Sequence, residues 1–327
     1  MKIGGLDVGT TGCKLSVYDS SGEFICNSYR EYEVNRKKGE HEIAAEEILS
    51  AVFGVIRDSA EKCKLDAIGV TTFGESFVVL DENNKVLLPS MLYTDPRGEK
   101  ECEELIDKLG EKRIISIAGV KPHSMYSLPK MMWIRSNLPE VYRKIKRILL
   151  MEDYIIYMLT GNAVIDYSLA ARTMAFDIRE KCWSDELLNA AGIDKELLSN
   201  PVPAFNIAGE IKFELSSELG ILNSVKIVNG AHDQVAAAVG AGVFEVGEAI
   251  DGTGTVECVT PVFDKIPENE KLYEEGYPVV PYVFENTYVS YSLSFTGVNS
   301  FILTYCFANI EKRKINNLCF KQIQTHQ

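Results

Sequence analysis

Twice in this chain an apolar run ends in an aspartate and breaks into glycine and threonine before a second apolar run begins. The first instance is Met1 to Asp19, MKIGGLDVGTTGCKLSVYD, and the second is Ala249 to Val259, AIDGTGTVECV. A turn of this kind lets backbone N–H groups approach an anion closely, because glycine carries no Cβ, and its threonines add hydroxyl donors. Asp7, at the end of the first apolar run, is placed to hold a hydrated divalent cation against phosphates. Taken alone, the first stretch fits an ordinary glycine-rich hairpin with an exposed aspartate equally well. Recurrence of the device weighs against that plainer reading, since it predicts two lobes built on one hairpin and closing on one phosphate chain.

A chain of 327 residues exceeds the size at which a single core usually stops growing, which also favours two lobes. The formal net charge of −13 argues against a general nucleic-acid or membrane-surface binder, since those neutralise phosphates with a basic face. It does not exclude a local phosphate pocket. The eight cysteines form no Cys-x-x-Cys pair and have no histidine at metal-finger spacing, so they read as reduced thiols of a cytoplasmic protein. The chain runs from Met1-Lys2 straight into a strand containing Asp7, and neither a signal peptide nor a membrane span is expected.

Along the chain, Glu23 to Val34 predicts a third strand after the opening hairpin, and Ile48, Val52, Ile56 and Ala60 at helical spacing predict a helix over 44–62. Strands are expected at 66–72 and 77–81. The polar break between them, Phe73-Gly74-Glu75-Ser76, places Glu75 at the tip of the sheet, where ligands bind in α/β folds. A helix is expected over 97–109, and the stretch 114–159 reads as largely helical, including PEVYRKIKRILL started by Pro139. Trp133 reads as core, and Ser184 as the cap of a short helix.

A further strand over 225–228 runs into Asn229-Gly230-Ala231-His232-Asp233-Gln234 and then a small-residue helix over 235–242. An aspartate at a strand-to-helix junction is rigidly held yet exposed, which suits a catalytic base. Local pattern favours a plain helix cap over a base at this position, and one residue can do both. Strand-like runs over 282–294 follow, and Thr296-Gly297 opens an apolar stretch to about Phe307.

In this order, Asp7-Val-Gly-Thr-Thr-Gly, Leu92-Tyr93-Thr94-Asp95-Pro96-Arg97, Asp153-Tyr154 with Leu159-Thr160-Gly161, Asp166-Tyr167-Ser168-Leu169-Ala170, Gly230-Ala231-His232-Asp233-Gln234 and Gly252-Thr253-Gly254-Thr255 resemble the blocks of the FGGY carbohydrate kinase family. The resemblance covers Met1 to about Phe307. It implies an α/β fold of the ribonuclease-H-like, actin and sugar-kinase ATPase type. On that reading residues 1–245 form a first lobe with a helical insertion, and 246–327 an incomplete second lobe of the same type. ATP, Mg²⁺ and a small sugar or polyol would meet between them.

The resemblance makes Asp233 the general base and Asp7, Thr10, Thr11 and Lys14 the residues serving the phosphates. Gly252, Thr253, Gly254 and Thr255 would form the second phosphate hairpin, with Gly297 also on the nucleotide side. Asp7 and Asp233 would reach Mg²⁺ through water. On the sugar side it implies Gly74, Glu75, Tyr93, Asp95, Tyr126 and Gln234 together with Asp233. Glu75 resembles the glutamate of glycerol kinases more than the histidine of xylulose kinases, whereas Lys14 stands where xylulose-type members carry lysine. For Asp95 and Arg97 a structural ion pair is at least as good a reading as contact with sugar hydroxyls.

Family members are considerably longer, and the glycine-rich adenosine-binding segment has no counterpart after Phe307. A sheet so shortened would leave an apolar face and an unpaired edge, and a homodimer is one way to cover them. Besides a kinase, the chain therefore reads alternatively as a non-catalytic carbohydrate-binding or regulatory remnant. An actin-like or heat-shock-like scaffold ATPase is a third reading, disfavoured by the Tyr93-to-Arg97 and His232-Asp233-Gln234 blocks.

Overall fold

The computed structural model describes residues 1–37, 39–253, 257–268 and 270–294. Its framework is a six-stranded sheet in the spatial order Ile207–Glu210, Lys226–His232, Ala67–Thr72, Lys2–Val8, Gly12–Asp19, Phe24–Glu31. The first three strands of the chain form an antiparallel meander, as the pattern predicts. Ala67–Thr72 lies parallel to Lys2–Val8, and Lys226–His232 lies parallel to Ala67–Thr72. Three strands therefore end at the same edge, at Val8, Thr72 and His232.

Alternation along the strands sends one set of side chains inward. Leu6, Val8, Leu15, Val17, Ile68, Val70 and Ile227 are all fully buried. They pack against Ile48, Val52 and Ile56 of the helix Ala45–Ala60 and against Tyr154, Ile155 and Ile156 of the helix Met151–Thr160. Each such aliphatic side chain contributes about 1.5–3 kcal/mol by leaving water. Glu46 and Glu47 occupy the first turn of Ala45–Ala60, where the helix dipole favours anions, and Ala44 supplies no side-chain cap.

A second core lies under the helices Glu99–Leu109, Glu111–Ala118, Ser127–Asn137 and Asp185–Ala191. It runs on to Ala231, Val235 and Ala238 and to Cys258, Val262, Val280 and Val289 of a separate five-stranded sheet. That sheet carries the second Asp-Gly-Thr stretch as an antiparallel hairpin, Ala249–Thr253 against Glu257–Phe263, with Asp251 opposite Val259. Gly254, Thr255 and Gly297 lie outside the described residues.

Two expected elements differ. The run PEVYRKIKRILL forms only a short helix, Pro139–Tyr142, and Arg147–Leu150 becomes a strand antiparallel to Phe77–Leu80. Ile148, Leu149 and Leu150 are buried on both faces, a burial that a strand between two layers provides and an amphipathic helix does not. The helix expected from Arg97 begins at Glu99, because Gly98 adopts φ 100 at the cap position. Trp133 is half-buried and packs against the second core, as expected, and Ser184 does cap its helix by accepting from the Leu187 N–H. Among the described residues no helix is long and apolar enough to cross a membrane.

Candidate active site

The shared edge of the three parallel strands brings together three of the segments singled out by the sequence. The turn after Val8, the break after Thr72 and the junction after His232 all open there. Register sets Asp7 beside Thr71 and His232 beside Thr72, so Asp7 and Asp233 flank one central strand. Strand ends of this kind are where open α/β sheets bind ligands.

The opening turn is held from beneath. Gly9 N–H donates to the Gly12 carbonyl at 2.9 Å, Tyr32 N–H donates to the Thr11 carbonyl at 3.3 Å, and the Tyr32 hydroxyl donates to the Gly9 carbonyl at 2.5 Å. Only glycine fits at position 12, since a Cβ there would lie 2.6 Å from the Tyr29 hydroxyl and 2.8 Å from the Arg30 carbonyl oxygen. Thr11 and Lys14 are exposed and Thr10 is half-buried, so their side chains are available to a ligand.

Asp233 is the first residue of the helix Asp233–Gly240, and the cap position is His232, whose side chain makes no capping bond. The capping role expected for Asp233 is thus replaced. Its Oδ1 accepts the Gln234 N–H at 2.6 Å and lies 3.3 Å from His232 Nε2. Burial pushes the Asp233 carboxyl up to about 6, against the opposing influence of the Gln234 N–H and Arg172. Burial and then the Asp233 charge also raise Asp7, although its surface opens on the cleft, while Lys14 lowers it. Burial first, and then the Arg172 charge, lower His232 to about 3, so it stays neutral. Its Nδ1 has no partner, and Nε2 is the ring nitrogen on the Asp233 side.

His232 is tied to a buried polar layer behind the strand edge. Its N–H donates to Ser168 Oγ at 2.9 Å, and Asp166 accepts the Ser168 and Leu169 N–H groups at 2.6 and 3.1 Å. Burial, then the Asp166 and Asp153 charges, raise the Glu152 carboxyl well above its ordinary range, and Glu152 Oε2 accepts the Asp166 N–H at 3.4 Å. Asp153 is raised by burial too, and accepts the Ser199 hydroxyl at 2.5 Å. Asp166, through the Ser168 turn that takes the His232 N–H, thus braces the strand that carries Asp233.

Glu75 is buried, with φ 63, and its carbonyl accepts the Ser127 hydroxyl at 2.6 Å. Its carboxylate pairs with Arg172, whose Nε donates to Oε1 at 2.5 Å. Gly74 backs onto both sides of the cleft, since a Cβ there would lie 3.1 Å from His232 Cδ2 and 3.2 Å from Arg172 Cγ. Tyr126 is buried under the Arg172 guanidinium, and Gln234 is half-buried.

Asp95 stands apart from this group. It accepts the His41 N–H at 2.8 Å, the Arg97 N–H at 3.0 Å, and Arg97 Nε and Nη2 at 2.8 and 2.7 Å. Burial opposes its charge, but Arg97 and the two N–H groups outweigh burial and hold the carboxyl below its ordinary range. Arg97 also pairs with Glu42 at 2.6 Å and lies over the Trp133 ring. Lys130 Nζ, fully buried and pushed down to about 8 by burial, donates to the Asp95 and Arg97 carbonyls. The carboxylate of Asp95 is committed within this turn, and Tyr93 beside it is exposed.

Arg172, His232, Tyr291 and Glu152 were not singled out as site residues by the sequence. Arg172 did carry a signal: an arginine inside Leu169-Ala170-Ala171-Arg172-Thr173-Met174-Ala175-Phe176 must be buried, and a buried arginine needs a partner. Nothing local marks Glu152, whose role depends on segments far from it in the chain.

A sheet of this topology, with an aspartate on either side of its central strand end, has the fold of the actin-like ATPase and sugar-kinase class. The family model for the N-terminal domain of the FGGY family of carbohydrate kinases matches residues 2–240. The chain belongs to that family. It is 34% identical over 268 residues to a xylulose kinase of Lactococcus lactis, covering 79% of this chain and 53% of the relative. A gluconokinase of Bacillus subtilis is 28% identical over 274 residues, covering 82% and 53%. Among solved structures, a ligand-bound xylulose kinase from Lactobacillus acidophilus superposes with a TM-score of 0.84 at 25% identity, covering 93% of this chain and 62% of that one. The chain spans about half the length of the curated relatives it matches.

Proposed function

We propose that the chain carries out the sugar-binding and proton-accepting half of an ATP-dependent carbohydrate kinase reaction. The observation that supports this most directly is Asp233, at a strand end beside Asp7, with its carboxyl raised to about 6. A sugar hydroxyl is a weak nucleophile, so a carboxylate within hydrogen-bond reach must take its proton as the oxygen attacks phosphorus. A base of this kind works best when its pKa lies near the working pH. Asp233 accepts the proton, the oxygen–phosphorus bond forms, and the bond to the departing ADP breaks.

His232 does not compete for the proton, since it stays neutral, and its Nε2 lies 3.3 Å from Asp233 Oδ1. In this reading residues 1–245 supply the sugar site and the first phosphate turn, and residues 246–327 supply the second. Asp7, Thr10, Thr11 and Lys14 receive the phosphates of ATP from one side, and Gly252, Thr253, Gly254, Thr255 and Gly297 from the other. On the sugar side stand Gly74, Glu75, Tyr126 and Gln234, with Tyr93 and Asp95 at the margin.

The donor set suits Mg²⁺. Among the described residues no group of three metal-ligating side chains exists, but Asp7 and Asp233 share a surplus of negative charge. Magnesium is commonly held by one or two carboxylates together with phosphates and water. When bound, the ion neutralises charge on the phosphate oxygens.

The test is sugar-dependent ADP formation by the purified chain and by Asp233→Asn. Activity in the wild type and a loss of about 10²-fold or more in the variant are expected. Undiminished activity of the variant would sink the assignment of the base. A sugar that raises the melting temperature of a chain with no turnover would favour a binding role instead.

A further inference from the structure

Arg172 is a buried cation whose charge reaches the proposed base Asp233. Its side chain is 7% exposed and that of its partner Glu75 6%, so the pair is shielded from water. Nε and Nη2 both engage Glu75 Oε1. The Tyr126 ring lies 5.1 Å from the guanidinium carbon and the Tyr291 ring 5.6 Å away. Its charge is therefore matched by one carboxylate, and its faces are occupied by aromatic rings. The backbone keeps Glu75 in place against Arg172, since the residue sits at φ 63, a conformation rarely adopted by residues with a side chain, and Ser127 secures its carbonyl.

The two neighbouring cations are also committed. Arg97 is taken by Asp95 and Glu42, and Lys130 by two backbone carbonyls. Around the strand edge, Glu75 pairs with Arg172, Lys14 stands opposite Asp7 on the proposed phosphate side, and among the described residues Asp233 forms no ion pair apart from its contact with neutral His232. A sugar hydroxyl brought here keeps hydrogen-bond partners without adding charge. A carboxylate brought here would be stripped of water and set against Asp233 and Asp7, with the nearest arginine already neutralised.

Resting on the reading of this cleft as a sugar site, we propose that it takes uncharged polyols or ketoses and rejects sugar acids, because Glu75 closes off Arg172. Relatedness alone does not decide the matter, since the relatives include both a xylulose kinase and a gluconokinase.

The experiment is calorimetric titration of the whole chain with matched pairs that differ in one carboxylate: glycerol and glycerate, xylulose and xylonate, glucitol and gluconate. At least one neutral member is expected to bind, with its acid partner at least tenfold weaker. Glu75→Gln, which leaves the Arg172 charge unmatched at nearly constant volume, is expected to shift that ratio at least tenfold toward the acid. An acid bound by the wild type as tightly as its neutral partner overturns the inference and leaves the sugar-site reading standing. No binding by any member overturns both. An unchanged ratio in a Glu75→Gln protein that still binds overturns the role given to Glu75. Where Glu75→Gln does not fold, the wild-type ratio decides.

Discussion

Asp233→Asn removes a carboxylate that the fold holds at a penalty, so the variant is expected to gain stability while losing phosphoryl transfer. The Asp233 carboxyl moves from 3.8 to about 6 on folding. That difference corresponds to about 3 kcal/mol against the folded state when the group is fully ionised. The side chain is 34% exposed, so solvent screening reduces the figure to about 1–2 kcal/mol. The sign follows from the raised value: the penalty is complete above the folded pKa of about 6, shrinks as pH falls, and vanishes below 3.8. Asparagine never ionises and escapes the penalty throughout. Urea unfolding at pH 8 and pH 5 measures this directly, with the variant ahead by about 1–2 kcal/mol at pH 8 and by about half as much at pH 5. A variant no more stable than the wild type at pH 8, or equally favoured at both pH values, would show that Asp233 is not a strained carboxylate. The accompanying loss of activity separates this gain from ordinary surface stabilisation.

Arg172→Met strands the buried Glu75 charge and is expected to cost about 3–5 kcal/mol by denaturant unfolding, while Arg172→Met combined with Glu75→Gln recovers most of it. Gly12→Ala forces a Cβ against Tyr29 and the Arg30 carbonyl, where the gaps are 2.6 and 2.8 Å. A loss of about 1–3 kcal/mol is expected, read as a lowered melting temperature with weakened nucleotide binding. Burial and neighbouring carboxylates hold Glu152 protonated, so Glu152→Gln is expected to cost less than about 1 kcal/mol. Glu152→Ala, which leaves the buried Asp166 N–H without its carboxyl partner, is expected to cost about 1–3 kcal/mol, and equal losses in the two variants would refute a raised Glu152 carboxyl.

The meander, the helix Ala45–Ala60 and the strand-to-helix junction at Asp233 were legible in the amino-acid order, because each depends on periodicity and local backbone chemistry. The two hairpins around Asp7 and Asp251 were legible for the same reason, since an apolar run broken by glycine and threonine marks a turn between strands. The strand Arg147–Leu150 was not legible, since a short apolar run fits a buried helix or a buried strand until its partner Phe77–Leu80 is in place. Nor was the fate of Asp95, whose carboxylate can bind a sugar or an arginine until the fold brings His41 and Glu42 to the same turn. By itself the sequence determined the family, the sheet and the aspartates at its edge. Only the tertiary structure decided that Arg172 closes on Glu75, that His232 stays neutral beside Asp233, and that Glu152 is buried against Asp166 and Asp153. Those outcomes depend on desolvation and on charges that meet across long stretches of chain, and no local pattern encodes either.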